Sequence, residues 1–296
     1  MNDYKPLDLL VIGAGMIVND LLLPSVYQLQ RLGVVKDISV CDRRVSSLQA
    51  LKDNALIKEA FPGQDFRPYP ALDSAADGDQ KIYKSVLSQM APYQAVVIAL
   101  PDQLHYQVVM DVLDCNQHIL CVKPLVLTHR HAVEIANKAE SRGLFIGVEY
   151  HKRFDRRSLM AKRNYQSGDL GEFVIAEAKM IEPYYYRFSN FQNWFTTDFT
   201  DPFVYVGCHY VDLVYFITGL KPVEVSVSGV KGKFPNGNEG YMWANGRVRF
   251  ENGALLSVTD GLGYPDDGAG PNEQGLSMFF EGNDKGAIFK HNDQFR

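Results

Sequence analysis

Two side chains in this sequence are placed to do acid–base work. Lys123 directly follows the apolar run His118 to Val122, where a parallel strand would end, and ligands collect at that edge of an open α/β sheet. An ammonium there can donate a hydrogen bond to an oxygen that gains charge. It is also the commonplace solvated charge at a strand end. His209 lies in a helix-like apolar stretch, Phe203 to Thr218. Tyr205, His209 and Asp212 stand at i, i+4 and i+7 and therefore share one helical face. An imidazole in such a row can take and return a proton near neutral pH. A phenol can donate a hydrogen bond or relay a proton, and a carboxylate can balance imidazolium. A core helix packed on a sheet through its aromatics would show the same row.

A third constellation is suited to an anion. Gly13-Ala14-Gly15 follows the apolar run Asp8 to Ile12 and opens a helix-like segment through Met16 and Ile17. Glycines in that context let the backbone approach a pyrophosphate at a positive helix end. The third glycine of the usual fingerprint is replaced by Val18, which is expected to move the helix slightly off the sheet without abolishing phosphate binding. Asp42 ends the next strand, where a carboxylate accepts hydrogen bonds from the ribose hydroxyls and repels a 2'-phosphate. NAD is the cofactor this predicts. Arg43 and Arg44 follow, as solvated helix-start residues or as guanidinium groups for adenine or a 2'-phosphate, so NADP is the alternative.

The elements that must position these residues can be read from the apolar pattern. Strand-like runs at Asp8–Ile12, Ile38–Cys41, Phe66–Tyr69, Ala95–Leu100, His118–Val122 and Phe145–Val148 alternate with helix-like segments near 16–31, 45–60, 80–90, 103–115 and 128–141. That alternation predicts a doubly wound parallel sheet covered by helices. Gly33 and Gly143 fall where helix C-terminal glycines belong, and Thr128 is an expected N-cap. Beyond residue 149 the pattern becomes one of longer strands, Phe173–Ile181, Val223–Val230, Gly246–Phe250 and Leu255–Thr259, with a hairpin turn at Glu251-Asn252-Gly253. Gly261 to Gly275 reads as a loop. The expected organisation is thus α/β: a Rossmann domain over 1–148, then an α+β domain over 149–296 with a large open, mostly antiparallel sheet that serves substrate binding and oligomerisation.

Composition narrows the partners. A 296-residue chain that is 46% hydrophobic can bury a large core, and a net charge of -5 with 22% charged residues carries no nucleic-acid footprint. Cys41, Cys115, Cys121 and Cys208 lack metal-ligand spacing and are expected to be reduced thiols; no metal is expected. The start, Met1 to Asp8, shows no signal peptide, and no apolar run is long enough to span a membrane, so the expected location is cytoplasmic. The end, Phe289 to Arg296, has no evident closing element, which leaves open whether the C-terminus is truncated.

The stretch Ala95 to Leu127, reading AVVIALPDQLHYQVVMDVLDCNQHILCVKPLVL, resembles the hallmark of the Gfo/Idh/MocA family of glucose-fructose oxidoreductase and inositol dehydrogenase-like enzymes. There a strand, a Pro-Asn-x-x-His turn, a helix and a Glu-Lys-Pro strand end recur. The resemblance extends to the Gly13 region, to YHKRFD at Tyr150 to Asp155, and to Gly207 through Asp212. It implies a Rossmann domain followed by an open-sheet domain, with substrate between them above the nicotinamide. It places Leu100 and Pro101 under the nicotinamide end, with His105 nearby at the start of the next helix. Lys123 would be the catalytic lysine, touching both cofactor and substrate, and His209 the general base. The chain departs from the pattern where Val122 stands in place of the family's usual glutamate and where Tyr205 stands in place of the aspartate of related dehydrogenases.

The chemistry implied is oxidation of a hydroxyl carbon, or reduction of a carbonyl carbon, of a sugar, polyol or sugar derivative. His209 removes the hydroxyl proton, Lys123 stabilises alkoxide charge, and hydride leaves for the nicotinamide. A phenol cannot replace the missing aspartate as a counter-charge, a duty open to Asp212 if its carboxylate reaches His209. Arg153, Tyr184, Tyr185, Tyr186, Arg187, Trp194 and Asp201 form a polar and aromatic set suited to a polyhydroxylated ring, of which a minority should touch substrate. Two other readings use the same residues: an NAD-dependent glycosidase or lyase working by transient oxidation, and a dinucleotide-binding sensor without turnover. A homodimer or homotetramer is expected through the exposed face of the second sheet.

Overall fold

The computed structural model describes residues 5–74, 76–282 and 285–292, so the last four residues of the expected unclosed end, 293–296, and the first four of the chain lie outside the described residues. The chain forms two compact units, Met1–Glu149 and Tyr150–Arg296.

The first unit is built on a six-stranded parallel sheet of order β3-β2-β1-β4-β5-β6. Its strands are β1 (Leu7–Ile12), β2 (Val35–Cys41), β3 (Arg67–Tyr69), β4 (Ala95–Ile98), β5 (His118–Val122) and β6 (Ile146–Glu149). Both faces are covered, which explains why the runs are continuously apolar. Leu9 and Val11 pack with α1 (Leu23–Arg31) and α2 (Val45–Asp53). Leu10 and Ile12 point the other way, toward α4 (Ile82–Leu87), α5 (His105–Asp114) and α6 (His129–Ser141). The segment predicted as one helix over 45–60 is two, because Asn54 leaves the helical region at ψ 107° and caps α3 (Ala55–Ala60) by accepting from the Ile57 N–H. Thr128 caps α6 as expected, accepting from the His131 N–H. Gly33 and Gly143 take φ of 74° and 63°, the left-handed conformation that ends a helix.

The second unit starts with a 3-10 turn, His151–Phe154, and α7 (Arg156–Gln166), which has no counterpart among the elements expected from sequence. Its sheet has the order β12-β11-β7-β10-β9-β8. The strands are β7 (Glu172–Pro183), β8 (Pro222–Lys233), β9 (Glu239–Phe250), β10 (Leu255–Tyr264), β11 (Glu273–Glu281) and β12 (Ala287–Asn292). All neighbours pair antiparallel except β10 with β7. The predicted long helix is composite: a π turn, Phe203–Gly207, runs into α8 (Cys208–Thr218). Tyr210, Leu213, Val214 and Ile217, at helical spacing, are buried on the sheet against Ala176, Val248 and Leu256. Each such side chain contributes about 1.5–3 kcal/mol. The other face is mixed, with Glu177, Lys179, Arg247, Arg249 and Ser257 interspersed with exposed Val230, Phe279 and Ile288.

The stretch 261–275, predicted as a loop, is only partly one. β10 continues to Tyr264 and β11 begins at Glu273. Gly261 and Gly263 are strand residues beneath the Trp243 ring, where added Cβ atoms would lie 2.3 and 2.2 Å from it.

Candidate functional site

Within the first unit, strand order places the carboxyl ends of β2, β1, β4 and β5 side by side. Gly13 leaves β1 with φ +112°, its N–H donating to the Cys41 carbonyl at 2.7 Å. An added Cβ would lie 2.1 Å from the Ala99 carbonyl oxygen at the end of β4, so only glycine fits this turn. Gly15 is different: nothing lies within 4 Å of an added Cβ. Its open side is where a phosphate can approach the helix start. The helix opens at exposed Met16 and half-buried Ile17, and buried Val18 starts a π turn, Val18–Leu22, packed in the core.

Asp42 is tied to the glycine turn. Its Oδ2 accepts from the Ala14 N–H at 2.9 Å and its Oδ1 from the Arg44 N–H at 2.8 Å. A carboxylate oxygen has a further lone pair, so this orientation still serves a ribose diol. Arg43 anchors the neighbouring chain through its carbonyl, which accepts from the Gly78 N–H. The glycine cradle, the open side at Gly15 and the oriented acid together fit a dinucleotide.

At the ends of β4 and β5, His105 explains how the remaining predicted residues are held. It is fully buried, with Nδ1 2.8 Å from the Pro124 carbonyl and Nε2 2.8 Å from the Leu100 carbonyl. Its ring thus braces the Leu100-Pro101 turn against the Lys123-Pro124 turn. Lys123 is half-buried beyond the end of β5. Val122 faces away from it into the core with Val11, Val97 and Ala99, as strand alternation requires.

In the second unit, His209 is 2% exposed on α8. The Tyr150 ring meets it edge-on at 5.9 Å and the His151 ring at 5.0 Å. Tyr205 lies four residues earlier. Its ring packs edge-on against Phe191, Trp194 and Phe195 at 5.4–5.6 Å. Tyr205 lies within the π turn Phe203–Gly207 that runs into α8.

Asp212 does not serve as the counter-charge of His209. Arg153 holds it in a bidentate pair, Nε to Oδ2 at 2.7 Å and Nη2 to Oδ1 at 2.5 Å. Burial pushes the Asp212 carboxyl up while the guanidinium pulls it back; the Asp212 hydrogen bond raises Arg153. Arg153, expected among the substrate contacts, and Asp212 are therefore one unit, and Arg153 also lies over the Tyr150 ring at 5.5 Å. Trp194 is 8% exposed in a cluster with Phe191, Phe195 and Phe234, and Tyr186 stacks on Phe191 at 4.7 Å. Trp194 is thus buried in this aromatic cluster, and Tyr186 is half-buried at its edge. Arg187 donates to the Leu262 carbonyl, and Asp201 caps the π turn through the Val204 N–H. Tyr184 and Tyr185 are exposed.

Asp260 is a residue that sequence reasoning missed, although an acid in the inward register Leu256, Val258, Asp260, Leu262 of a strand is a readable signal. It is fully buried, and neither carboxyl oxygen has a hydrogen-bond partner among the described residues. An added Cβ on Gly207 would lie 2.4 Å from its Oδ2, so glycine lets the helix ride over it. Burial, reinforced by Asp201 and Glu182, pushes this carboxyl up to about 9. A folded value above the unfolded one means stability falls as pH rises from about 4 toward about 9. Asp260→Asn is accordingly expected to gain in melting temperature relative to the parent between pH 5 and pH 9, by roughly 5 °C. A difference constant with pH would show that Asp260 does not titrate this way.

Among the described residues no three His, Cys, Asp or Glu side chains gather as metal ligands, and no helix is long and apolar enough to cross a membrane. All four cysteines are free thiols, Cys41 and Cys121 buried, Cys115 and Cys208 half-buried.

This fold and cradle are those of a dinucleotide-binding α/β protein. Residues 7–150 match the oxidoreductase family with NAD-binding Rossmann fold, GFO/IDH/MocA, and residues 158–268 match the GFO/IDH/MocA C-terminal domain. The chain belongs to the Gfo/Idh/MocA family. It is 33% identical over 151 residues to an uncharacterized oxidoreductase of Schizosaccharomyces pombe, covering 49% of this chain and 40% of that protein. It is 24% identical over 225 residues to D-glucoside 3-dehydrogenase of Escherichia coli, covering 74% and 56%. The chain thus spans about half the length of these curated relatives. Among solved structures, myo-inositol 2-dehydrogenase from Lactobacillus plantarum superposes with a TM-score of 0.71 at 18% identity, covering 96% of this chain and 76% of that one. The WlbA dehydrogenase from Bordetella pertussis, solved with NADH and UDP-GlcNAcA, gives 0.69 at 18%, covering 94% and 76%. At these identities the likeness is one of fold.

Proposed function

We propose that the protein is an NAD-dependent dehydrogenase or reductase acting at a CH–OH or carbonyl carbon of a sugar, polyol or sugar derivative. The observation that carries this reading is the edge of the first sheet, where Gly13, Asp42, Leu100 and Lys123 end four adjacent strands. Lys123 is thereby on the same edge as the cradle, braced through Pro124 and His105. The names of the relatives, a glucoside dehydrogenase and inositol dehydrogenases, support the substrate class.

In this reading Lys123 donates a hydrogen bond to the reacting oxygen and steadies its charge as the C–H bond breaks. His209 takes the hydroxyl proton in oxidation and returns it in reduction. The nicotinamide, when bound, supplies the hydride acceptor. Arg153, fixed by Asp212, offers its remaining N–H groups to substrate hydroxyls. Assembly into a homodimer or homotetramer through the exposed sheet face belongs to the same reading.

Titration with both cofactors, and a screen of sugars and polyols read at the nicotinamide absorbance, test it. NAD is expected to bind at least about tenfold more tightly than NADP, a difference of roughly 1.4 kcal/mol, because Asp42 meets the ribose hydroxyls and repels a 2'-phosphate. Tighter NADP binding that survives removal of the Arg43 side chain would overturn the assignment. Release of sugar from glycosides without accumulation of reduced cofactor would favour the lyase chemistry instead.

A further inference from the structure

We propose that His151 is the proton outlet of His209, an inference that rests on reading His209 as the base. The two imidazoles meet edge-on, ring centroids 5.0 Å apart and planes inclined by 62°. They differ in one decisive respect: His209 is 2% exposed, whereas His151 is an exposed residue of the 3-10 turn His151–Phe154. A base that takes one proton per turnover must pass it on before the next, and a ring buried to this degree needs a neighbour in contact with water.

Tyr150, which also meets His209, and the charged groups next to Tyr150 and His151 are unsuited. Burial pushes the Tyr150 phenol far up, with Cys208 and Asp212 adding to the effect, so it stays protonated. Arg153 has no lone pair to accept a proton. Asp212 is held by both of its oxygens to that guanidinium. Lys152 is buried, its ammonium donating to Gln274 Oε1 at 2.6 Å. An imidazole, which accepts on one ring nitrogen and releases from the other, is the side chain suited to the task.

The sequence of transfers balances. In oxidation the substrate O–H proton moves to a ring nitrogen of His209 while the hydride leaves for the bound nicotinamide. His209 then gives that proton to His151, which releases it to water or a buffer base. One alcohol and one oxidised cofactor yield one carbonyl, one reduced cofactor and one proton in solution. In reduction the same path runs inward.

The relay makes predictions that a packing or substrate-contact role does not. In the NAD-bound protein, solvent exchange of the His209 ring N–H, followed by NMR, is expected to slow about tenfold or more in His151→Gln, and added free imidazole is expected to restore it. With a sugar or polyol from the screen, His151→Gln and His151→Phe are expected to lose about tenfold in turnover with KM unchanged, and to regain it in a saturable way with imidazole. Unchanged exchange in His151→Gln overturns the relay, as does lost activity that imidazole does not restore. If His209→Ala abolishes turnover while both His151 variants match the parent at every buffer concentration, the relay fails and the base assignment stands. Full activity in His209→Ala removes the base assignment itself.

Discussion

Lys123→Ala is expected to lower turnover about 100-fold or more, equivalent to roughly 2.7 kcal/mol of transition-state stabilisation, with NAD affinity nearly unchanged. The asymmetry follows from where the ammonium acts. It meets an oxygen whose charge grows only as hydride departs, so its removal costs little in the ground state. The turn should survive the substitution, because Lys123 is half-buried and Pro124 is held from behind by His105. His209→Ala is expected to fall by a similar factor, and the two losses should not add fully if both groups act on one oxygen. Turnover of each variant beside a cofactor titration checks this. Full activity in both would remove the catalytic assignment.

Gly13→Ala is expected to be the most disruptive single methyl in the first unit. The new Cβ would meet the Ala99 carbonyl oxygen at 2.1 Å in a backbone with φ +112°, a region L side chains rarely adopt. A loss of about 3 kcal/mol or more is expected, or roughly 6 °C in melting temperature, together with loss of dinucleotide binding. Gly15→Ala is the informative partner. Its methyl enters open space, so stability should change by less than about 1 kcal/mol while NAD affinity drops about tenfold. Equal melting temperatures for the Gly13 variant and the parent would show that the turn relaxes. Unchanged NAD affinity in the Gly15 variant would move the pyrophosphate elsewhere.

Most departures of the structure from the sequence-based expectations share a cause. Glycines at 261 and 263 suggest a loop because local statistics cannot show that Trp243, from the neighbouring strand, needs their missing side chains. Helical periodicity puts Tyr205, His209 and Asp212 on one face, yet an arginine 59 positions away takes both carboxyl oxygens of Asp212. Trp194 looks suited to a sugar ring by type, whereas packing buries it among Phe191, Phe195 and Phe234. The divided helix at Asn54 is of another kind, since its cap is local and legible in the sequence.

By itself, then, the sequence determined what depends on short range. Continuous apolar runs require strands buried on two faces, Gly13 and Asp42 follow strand ends in the order a dinucleotide cradle needs, and Thr128, Gly33 and Gly143 set helix limits through their own backbone and side-chain preferences. Tertiary structure alone decided which groups meet: His105 as a strut between two turns, Arg153 on Asp212, His151 against His209, and Asp260 under Gly207. The physical reason is that contact and burial fix hydrogen bonds and protonation, and both arise only when residues distant in the chain are packed together.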